Sequence, residues 1–313
     1  MKKDEKLGYV LAMLGGVCWA CSGACGQYLF QHRLMHSNWL VAVRLLIAGL
    51  LLSCYSMYRW RDKVEALFRS KRSIGSLLVL SVFGLALCQY AYFRSIELSN
   101  AATATAVQYV GLVMVLIWLA IGEKRLPRRG EIAALVCALG GAFVLTTHGD
   151  PSHLVLSTPA LLWCIASAAA FAVYSVQPRG LIDRFGTLPV TGFGMLIGGL
   201  VLCARVKPWH VVGTWDGVTV GGMSFIIVFG TLCAFCCYLE GVRRIGAARG
   251  SILAAVEPVV SALLSVFWLG VPLGGIDLAG IALIVAAIVL SAESGQGQPK
   301  KIAETVASRA KKD

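Results

Sequence analysis

The amino-acid sequence predicts an all-α integral membrane protein with ten transmembrane helices, arranged as two inverted five-helix repeats. Three observations point to this fold class. Hydrophobic residues occupy 58% of the 313 positions and charged residues only 14%, well below the roughly 25% of soluble domains. About ten apolar stretches are long enough to cross a hydrocarbon core that is about 30 Å thick. The two halves of the chain also resemble each other at an offset of about 144 to 150 residues.

The ten predicted helices follow one another with short connections. We place them near residues 7–29, 38–58, 74–96, 98–121, 131–147, 156–178, 188–204, 217–239, 247–270 and 273–291. The fifth and seventh stretches are short for a span that needs about 20 residues. Because no connection is long enough for an extramembrane domain, the sequence predicts one compact bundle. The first apolar run is too long for a signal peptide, so we expect it to be retained.

Lysine and arginine residues are distributed very unequally between the two sides of the predicted bundle. The side that carries both termini holds 23 of the 28, the opposite loops hold 4, and Arg44 lies inside the second helix. The positive-inside rule therefore places both termini in the cytoplasm and the chain in the cytoplasmic membrane. Basic loops facing anionic headgroups account for the net charge of +12, so we expect membrane lipid, and not nucleic acid, as a partner.

Internal repetition divides the chain into two units. The segment at Trp19 in helix 1 resembles the segment at Trp163 in helix 6, and residues 92–102 resemble residues 238–248. Five helices per repeat is an odd number, so the second repeat enters the membrane from the opposite side, as alternating access requires. The predicted units are 1–147 for the first repeat, 148–293 for the second, and 294–313 for a disordered basic cytoplasmic tail.

Several short motifs recur at corresponding places in the two halves. Aromatic and small residues open helices 1 and 6, and a Tyr-x-x-x-Ile/Val-x-x-x-x-Ala-Ala passage leads into helices 4 and 9. Together with Gly122-Glu123 and Glu257-Pro258, these motifs resemble the drug/metabolite transporter superfamily, EamA type, over residues 7–291. The resemblance implies a central cavity between two halves, through which small metabolites such as amino acids, choline-like amines, drugs or sugars are exported or taken up.

Two positions depart from the pattern of that family. Gln108-Tyr109-Val110 stands where helix 4 often has a proline, and Val271 stands where a glutamate often follows Gly270. The first departure suggests a polar glutamine or tyrosine in the pathway instead of a flexible helix. The second weakens any role for paired glutamates at the two helix ends.

Glu257 is the first candidate for a functional residue, because a carboxyl group near mid-bilayer is costly and normally faces a polar interior. Apolar surroundings favour its neutral form, which would let it carry a proton or meet a cationic substrate. The alternative is a structural anchor, paired with Arg44 or with helix carbonyls freed by Pro258. Pro258 itself is either a gating bend or an ordinary helix irregularity. For Arg44 we favour snorkelling to the outer interface.

Other polar and aromatic residues at membrane depth are candidates for substrate contacts. Gln108, Tyr109, Gln89 and Tyr90 can bind a substrate or can join helices together. Trp19 and Trp163 can stack on an organic cation, or can belong to an interfacial aromatic belt. Tyr174, near the inner end of helix 6, is a further candidate.

The absence of motifs narrows the function classes. The chain has no GxSxG, HExxH or His-rich pattern for a membrane enzyme, no long loop for a scaffold, and no GxxxxGK[ST] loop for a nucleotide-driven pump. We expect no metal site and no cofactor. The sequence favours a secondary transporter that exports a small organic metabolite, with a proton or sodium ion as coupling ion; a homodimer is left open. The alternative is an uptake permease for a cationic or sugar-like nutrient.

Overall fold

The computed structural model describes residues 3–99, 101–122, 126–147, 149–150, 152, 157–269 and 274–294. Regular structure in these residues is helical throughout. The first half contains α1 (Lys3–Arg33), α2 (Ser37–Arg59), α3 (Arg61–Arg69), α4 (Lys71–Leu98), α5 (Ala101–Gln108), α6 (Val110–Gly122) and α7 (Arg129–Thr147). The second half contains α8 (Thr158–Val176), α9 (Arg179–Phe185), α10 (Thr187–Val206), α11 (Gly217–Ile245), α12 (Ala247–Leu253), α13 (Val256–Leu269) and α14 (Gly275–Ser294).

Six helical segments of the described chain are long and apolar enough to cross a membrane. They are Asp4–Arg33, Ser37–Arg59, Lys71–Leu98, Thr158–Phe185, Thr187–Val206 and Gly217–Ile245. These segments agree with the predicted helices 1, 2, 3, 6, 7 and 8. The predicted helices 4 and 9 are each divided in two, as α5 with α6 and α12 with α13. The bundle is therefore a multi-pass membrane protein, as the composition predicts.

Two of the long helices contain a wider π-helical segment. Residues Leu80–Ala86 form one in α4, and residues Val228–Cys233 form the other in α11. The divided helices are interrupted at Tyr109, and at Ala254 and Ala255. Wider turns and interruptions free backbone groups from the regular ladder and occur often at functional sites. All four of these helices contribute residues to the wall of one central space.

Helix pairing builds the bundle around that space. The largest contacts join α1 with α11, α2 with α10, α4 with α8, and α7 with α14. The α2–α10 contact depends on glycine, because a Cβ at Gly199 would lie only 2.6 Å from the backbone nitrogen of Leu46, and one at Gly49 would overlap Leu196. Small residues let helix backbones approach closely and so provide the packing that lipid cannot.

Some sequence predictions fall on residues that the structure does not describe. They are the tail after Ser294, Glu123 of the Gly122-Glu123 motif, and Val271 beside Gly270. These predictions lie outside the described residues.

Candidate functional site

A central cavity lies among α1, α2, α4, α8, α11 and the two divided helices. Its walls come from both halves of the chain, and it is narrow in this conformation, with a volume of about 30 Å³. Among the predicted site residues, those on its wall are Glu257, Gln108, Tyr109, Trp19, Gln89 and Tyr174.

Glu257 is buried on this wall and is held by hydroxyl groups of the first half. Tyr92 donates to Oε1 at 3.1 Å, Thr105 lies 3.5 Å from the same atom, and Tyr109 lies 3.5 Å from Oε2. Tyr92 and Thr105 are themselves 2.8 Å apart, so they act as one hydrogen-bonded unit. Hydrogen bonds to a carboxylate stabilise its charged form, which partly offsets the cost of burial. Glu257 therefore links the two halves at the centre of the molecule.

Pro258 explains why a regular helical hydrogen bond is missing from the backbone beside this carboxylate. It lies in the first turn of α13 and has no N–H, so it cannot bond to the carbonyl four residues before it. That carbonyl belongs to Ala254, and it accepts hydrogen bonds from the backbone N–H of Glu257 and from the hydroxyl of Tyr109, both at 3.0 Å. The predicted bend at Pro258 is thus an interruption at Ala254 and Ala255, four and three residues earlier, with Pro258 just inside the helix that follows.

Gln108 connects three helices at the edge of the cavity. Its amide nitrogen donates to the hydroxyl of Ser167 in α8 and lies 3.6 Å from the sulfur of Cys88 in α4. Ser167 in turn donates to the carbonyl of Cys88 at 3.2 Å. Gln108 therefore joins helices together while it lines the cavity, so both of the roles considered from the sequence are compatible with its position.

One wall of the cavity is aromatic. Trp19 packs edge-on against Phe235, with ring centroids 5.1 Å apart, and against Tyr174 at 6.2 Å. Phe171 and Tyr238 complete the cluster, and the Tyr238 hydroxyl pairs with Ser175 at 2.8 Å. The rings of Trp19, Phe171, Tyr174 and Phe235 line the cavity and present flat apolar and π surface to its interior, while Tyr238 packs behind them. Trp19 is therefore part of a cavity wall and not of an interfacial belt.

Trp163 and Tyr90 are placed elsewhere. Their rings pack against each other, 5.2 Å between centroids and nearly perpendicular. Neither residue is on the cavity wall. The repeat-based equivalence of Trp19 and Trp163 does not extend to their surroundings, because each helix presents a different face to its neighbours.

Arg44 corrects the snorkelling interpretation, because its side chain is fully buried. Its Nε donates to the hydroxyl of Thr231 at 2.9 Å and its Nη2 to the carbonyl of Gly230 at 3.1 Å. Both acceptors belong to the π-helical segment of α11. The guanidinium also lies over the ring of Phe93, 4.5 Å from the centroid. Arg44 lines the same cavity as Glu257, and the two form no ion pair in the part of the chain that the structure describes.

The sequence profile of the EamA-like transporter family matches residues 6–147 and 158–292. The chain belongs to the EamA-like transporter family. This membership confirms the resemblance to the drug/metabolite transporter superfamily and identifies a membrane transporter.

Relatives of this EamA-family chain are also transporters by name. An uncharacterized inner membrane transporter of Salmonella typhimurium, YicL, is 36% identical over 287 residues, covering 92% of this chain and 95% of the relative. The threonine/homoserine exporter RhtA of the same species is 24% identical over 227 residues, covering 71% and 74%. A solved crystal structure with 20% identity shares the fold, with a TM-score of 0.75 over 95% of this chain and 99% of the other.

Several cavity residues of this EamA-family transporter were not selected from the sequence. Tyr92, Ser22 and Phe93 are ordinary residues of apolar helices, and their importance comes from what lies opposite them. The repeat alignment did contain a signal, because it pairs Tyr92 with Tyr238, and both hydroxyls are buried and hydrogen bonded. For Arg44 the signal was its depth in a predicted span, six residues from the nearer end, whereas Arg94 and Arg249 each lie two residues from the end of theirs.

Proposed function

We propose that this protein is a ten-helix secondary transporter of the inner membrane that moves a small organic metabolite by alternating access of two inverted halves. The observation that carries the proposal is the central carboxylate. Glu257 of the second half is buried, accepts a hydrogen bond from Tyr92 at 3.1 Å, and lies 3.5 Å from the hydroxyls of Thr105 and Tyr109, all of the first half. A buried ionisable group at the interface of two halves is typical of a substrate or coupling-ion site.

The helix pairing supports an inverted repeat. Exchange of the two halves turns the α1–α11 contact into the α8–α4 contact, and the α2–α10 and α7–α14 contacts each into themselves. The π-helical segments of α4 and α11 also correspond, as do the interruptions at Tyr109 and at Ala254. The separate family matches at 6–147 and 158–292 support the same division of the chain. Each half then supplies one irregular helix and one divided helix to the cavity.

Alternation between two open states needs contacts at each end that break easily. At the end near the amino terminus, Asp4 and Glu5 of α1 pair with Arg244 and Arg249 at 2.6 and 3.0 Å. At the other end, Arg33 pairs with Asp216 at 3.2 Å. Both sets join the first half to the second. The Asp4–Arg244 and Arg33–Asp216 pairs each have an exposed carboxylate. Exposed ion pairs are worth only about 0–1 kcal/mol each, so these two contacts break at modest cost when the halves rock.

Direction, coupling and orientation follow from chemistry and from the relatives. The name of RhtA, a threonine/homoserine exporter, favours export and an amino-acid-like substrate. The distribution of basic residues favours both termini in the cytoplasm. We expect a proton or sodium ion to supply the energy, with Glu257 as the group that exchanges the proton or meets a cationic part of the substrate. Uptake of a cationic or sugar-like nutrient is the second candidate.

Transport by purified protein in proteoliposomes tests this proposal. Wild-type protein should exchange labelled amino acids across the bilayer, and an imposed pH gradient should drive their accumulation. Glu257→Gln should remove the response to the gradient, because the amide cannot release a proton. Asp62→Asn, an exposed acid in α3, is the matched control. Wild-type accumulation by the folded Glu257→Gln protein would refute the coupling role, and absence of transport for the whole panel of amino acids, amines and sugars would refute the transporter mechanism.

A further inference from the structure

We propose that the cavity selects a zwitterion, with the substrate carboxylate at Arg44 and the substrate ammonium at Glu257. This inference rests on the proposed transport function and names the substrate class of the same cavity. It starts from an imbalance among the side chains on the cavity wall. Arg44 and three other side chains of the wall have buried donors without a hydrogen-bond partner in the described part of the chain, while the carboxylate of Glu257 lies on α13.

The guanidinium of Arg44 has capacity left for an anion. Nε and Nη2 are used by Thr231 and Gly230, and Phe93 covers one face. Nη1 is buried and has no hydrogen-bond partner among the described residues. An arginine has only donors, so a neutral hydroxyl and a carbonyl do not neutralise it. A fully buried cation without a counter-ion is costly, and an anionic group of the substrate would remove that cost.

Three more donors without partners share this wall. The indole nitrogen of Trp19, the hydroxyl of Ser22 and the amide nitrogen of Gln89 are buried and have no partner in the described part of the chain. Ser22 lies against Gly230, because a Cβ there would overlap its hydroxyl, and Gly230 is the residue whose carbonyl holds Arg44. Gln89 lies one helical turn before Phe93, whose ring packs against the guanidinium of Arg44. A carboxylate has two oxygens and about four lone-pair sites, and so matches this set of donors.

The opposite charge of the substrate has its own place on the cavity wall. Glu257 accepts its hydrogen bonds from hydroxyl groups, none of which carries a positive charge. An ammonium group would supply the missing charge, and the ring of Tyr92 or Tyr109 adds a π face beside it. Because Arg44 and Glu257 are not paired with each other in the described chain, each remains available to one end of a dipolar molecule.

Other ligand classes fit this arrangement less well. A cationic amine would satisfy Glu257 but would place a second positive charge in the cavity that already holds Arg44. A sugar would offer hydroxyls to the donors but would leave both charges without a counter-ion. A molecule that carries both a carboxylate and an ammonium group satisfies the two ends together, and a free amino acid is the simplest example.

Binding of matched ligand sets to the purified, detergent-solubilised full chain at pH 7 tests the inference. Each set contains a neutral L-amino acid such as threonine, its methyl ester, which lacks the anion, and its N-acetyl derivative, which lacks the cation. The panel also includes alanine, leucine and phenylalanine sets. We expect the zwitterion to bind about tenfold or more tightly than either derivative, as for the loss of one hydrogen bond to a charged group. Equal binding of the ester would overturn the role of Arg44, and equal binding of the N-acetyl compound would overturn that of Glu257.

Variants of Arg44 and Ser22 test the anion end of the site. Arg44→Gln should weaken the zwitterion about tenfold and bring its affinity close to that of the methyl ester, whereas Arg44→Lys should keep part of the preference. Ser22→Ala, a smaller change that keeps the fold, should lower the preference for the zwitterion a few-fold. Arg205→Gln, an exposed arginine at the end of α10, is the matched control. An unchanged zwitterion-to-ester ratio in both Arg44→Gln and Ser22→Ala would overturn the anion subsite.

The outcome separates this inference from the transport proposal. If cationic amines or sugars are transported in proteoliposomes and no zwitterion binds, the transporter stands and the zwitterion site is refuted. If no ligand of any class is bound or transported, both are refuted.

Discussion

The hydroxyl of Tyr109 donates a hydrogen bond to the carbonyl oxygen of Ala254 at 3.0 Å. This bond joins the interruption between α5 and α6 to the interruption between α12 and α13. The same carbonyl accepts from the backbone N–H of Glu257 at 3.0 Å, and Pro258, four residues after Ala254, has no N–H to offer it. The two divided helices, one from each half, are therefore tied together beside Glu257, whose Oε2 is 3.5 Å from the same hydroxyl. A change in the protonation or ligation of Glu257 would therefore act directly on this joint, the contact between Tyr109 and Ala254 that links the two divided helices.

Removal of the Tyr109 hydroxyl should weaken the joint without changing the packing. For Tyr109→Phe we expect a loss of about 0.5–1.5 kcal/mol in stability, the usual net value of one hydrogen bond, and a larger proportional loss of transport. Thermal unfolding in detergent and exchange in proteoliposomes measure the two effects. Tyr58→Phe, at an exposed site, is the control. Unchanged transport in Tyr109→Phe would show that the joint does not take part in alternation.

Replacement of Pro258 should close the interruption. In Pro258→Ala the new N–H can bond to Ala254, compete with Tyr109 for that carbonyl, and extend α13 backwards. We expect stability to be kept or raised while the transport rate falls several-fold. Pro189→Ala, in the first turn of α10 and away from the cavity, is the matched control. Equal transport rates in both variants and wild type would contradict the importance of the open backbone.

Glycine at position 199 should be required by the contact between α2 and α10. In Gly199→Ala the added methyl group would lie 2.6 Å from the backbone nitrogen of Leu46, so the two helices must separate. We expect destabilisation of about 1–3 kcal/mol, as for overpacked cores. Gly221→Ala in α11, where no atom lies within 4 Å of the new carbon, should be neutral or slightly stabilising. Similar melting temperatures for the two variants would contradict the close approach.

Asp216 should make stability depend on pH in the acid range. It caps α11 by accepting from the backbone nitrogen of Thr219 at 2.8 Å and from its hydroxyl at 2.9 Å, and these bonds lower the pKa of Asp216 below its ordinary value of 3.8. A group with a lowered pKa stabilises the fold above its unfolded value, and this contribution is lost as the pH falls through the folded value. Unfolding curves between pH 6 and 3 should therefore show less acid sensitivity in Asp216→Asn than in wild type. Parallel curves would contradict the prediction.

The electrostatic cost of burial made the place of Glu257 on the wall of an interior cavity predictable. A carboxyl group in an apolar helix needs polar partners wherever the helix packs, so this expectation does not depend on the details of the fold. The same reasoning was insufficient for Arg44, because a long basic side chain has two solutions in a membrane protein. It can reach the interface or be buried against partners, and Thr231 and Gly230, 187 and 186 residues away, provide the second.

The rotation of each helix about its own axis explains why Trp19 and Trp163 have different surroundings. Trp19 and Trp163 occupy equivalent places in the repeat, yet Trp19 packs on Phe235 at the cavity and Trp163 packs on Tyr90 outside it. In an apolar helix every face is hydrophobic, so periodicity cannot tell which face meets the centre of the bundle. Only the contacts between helices distinguish them.

Composition, apolar segment lengths and repeated motifs were enough to place this chain among membrane transporters of the EamA type, because the bilayer requires long apolar helices whatever their packing. The repeat also located the two divided helices approximately. Tertiary structure alone decided which side chains share the cavity. Residues far apart in the sequence, such as Arg44 and Glu257, line the same space only because the helices pack together. Charge and hydrogen-bond capacity belong to single residues and can be read from the sequence, whereas their satisfaction depends on neighbours that only the fold supplies.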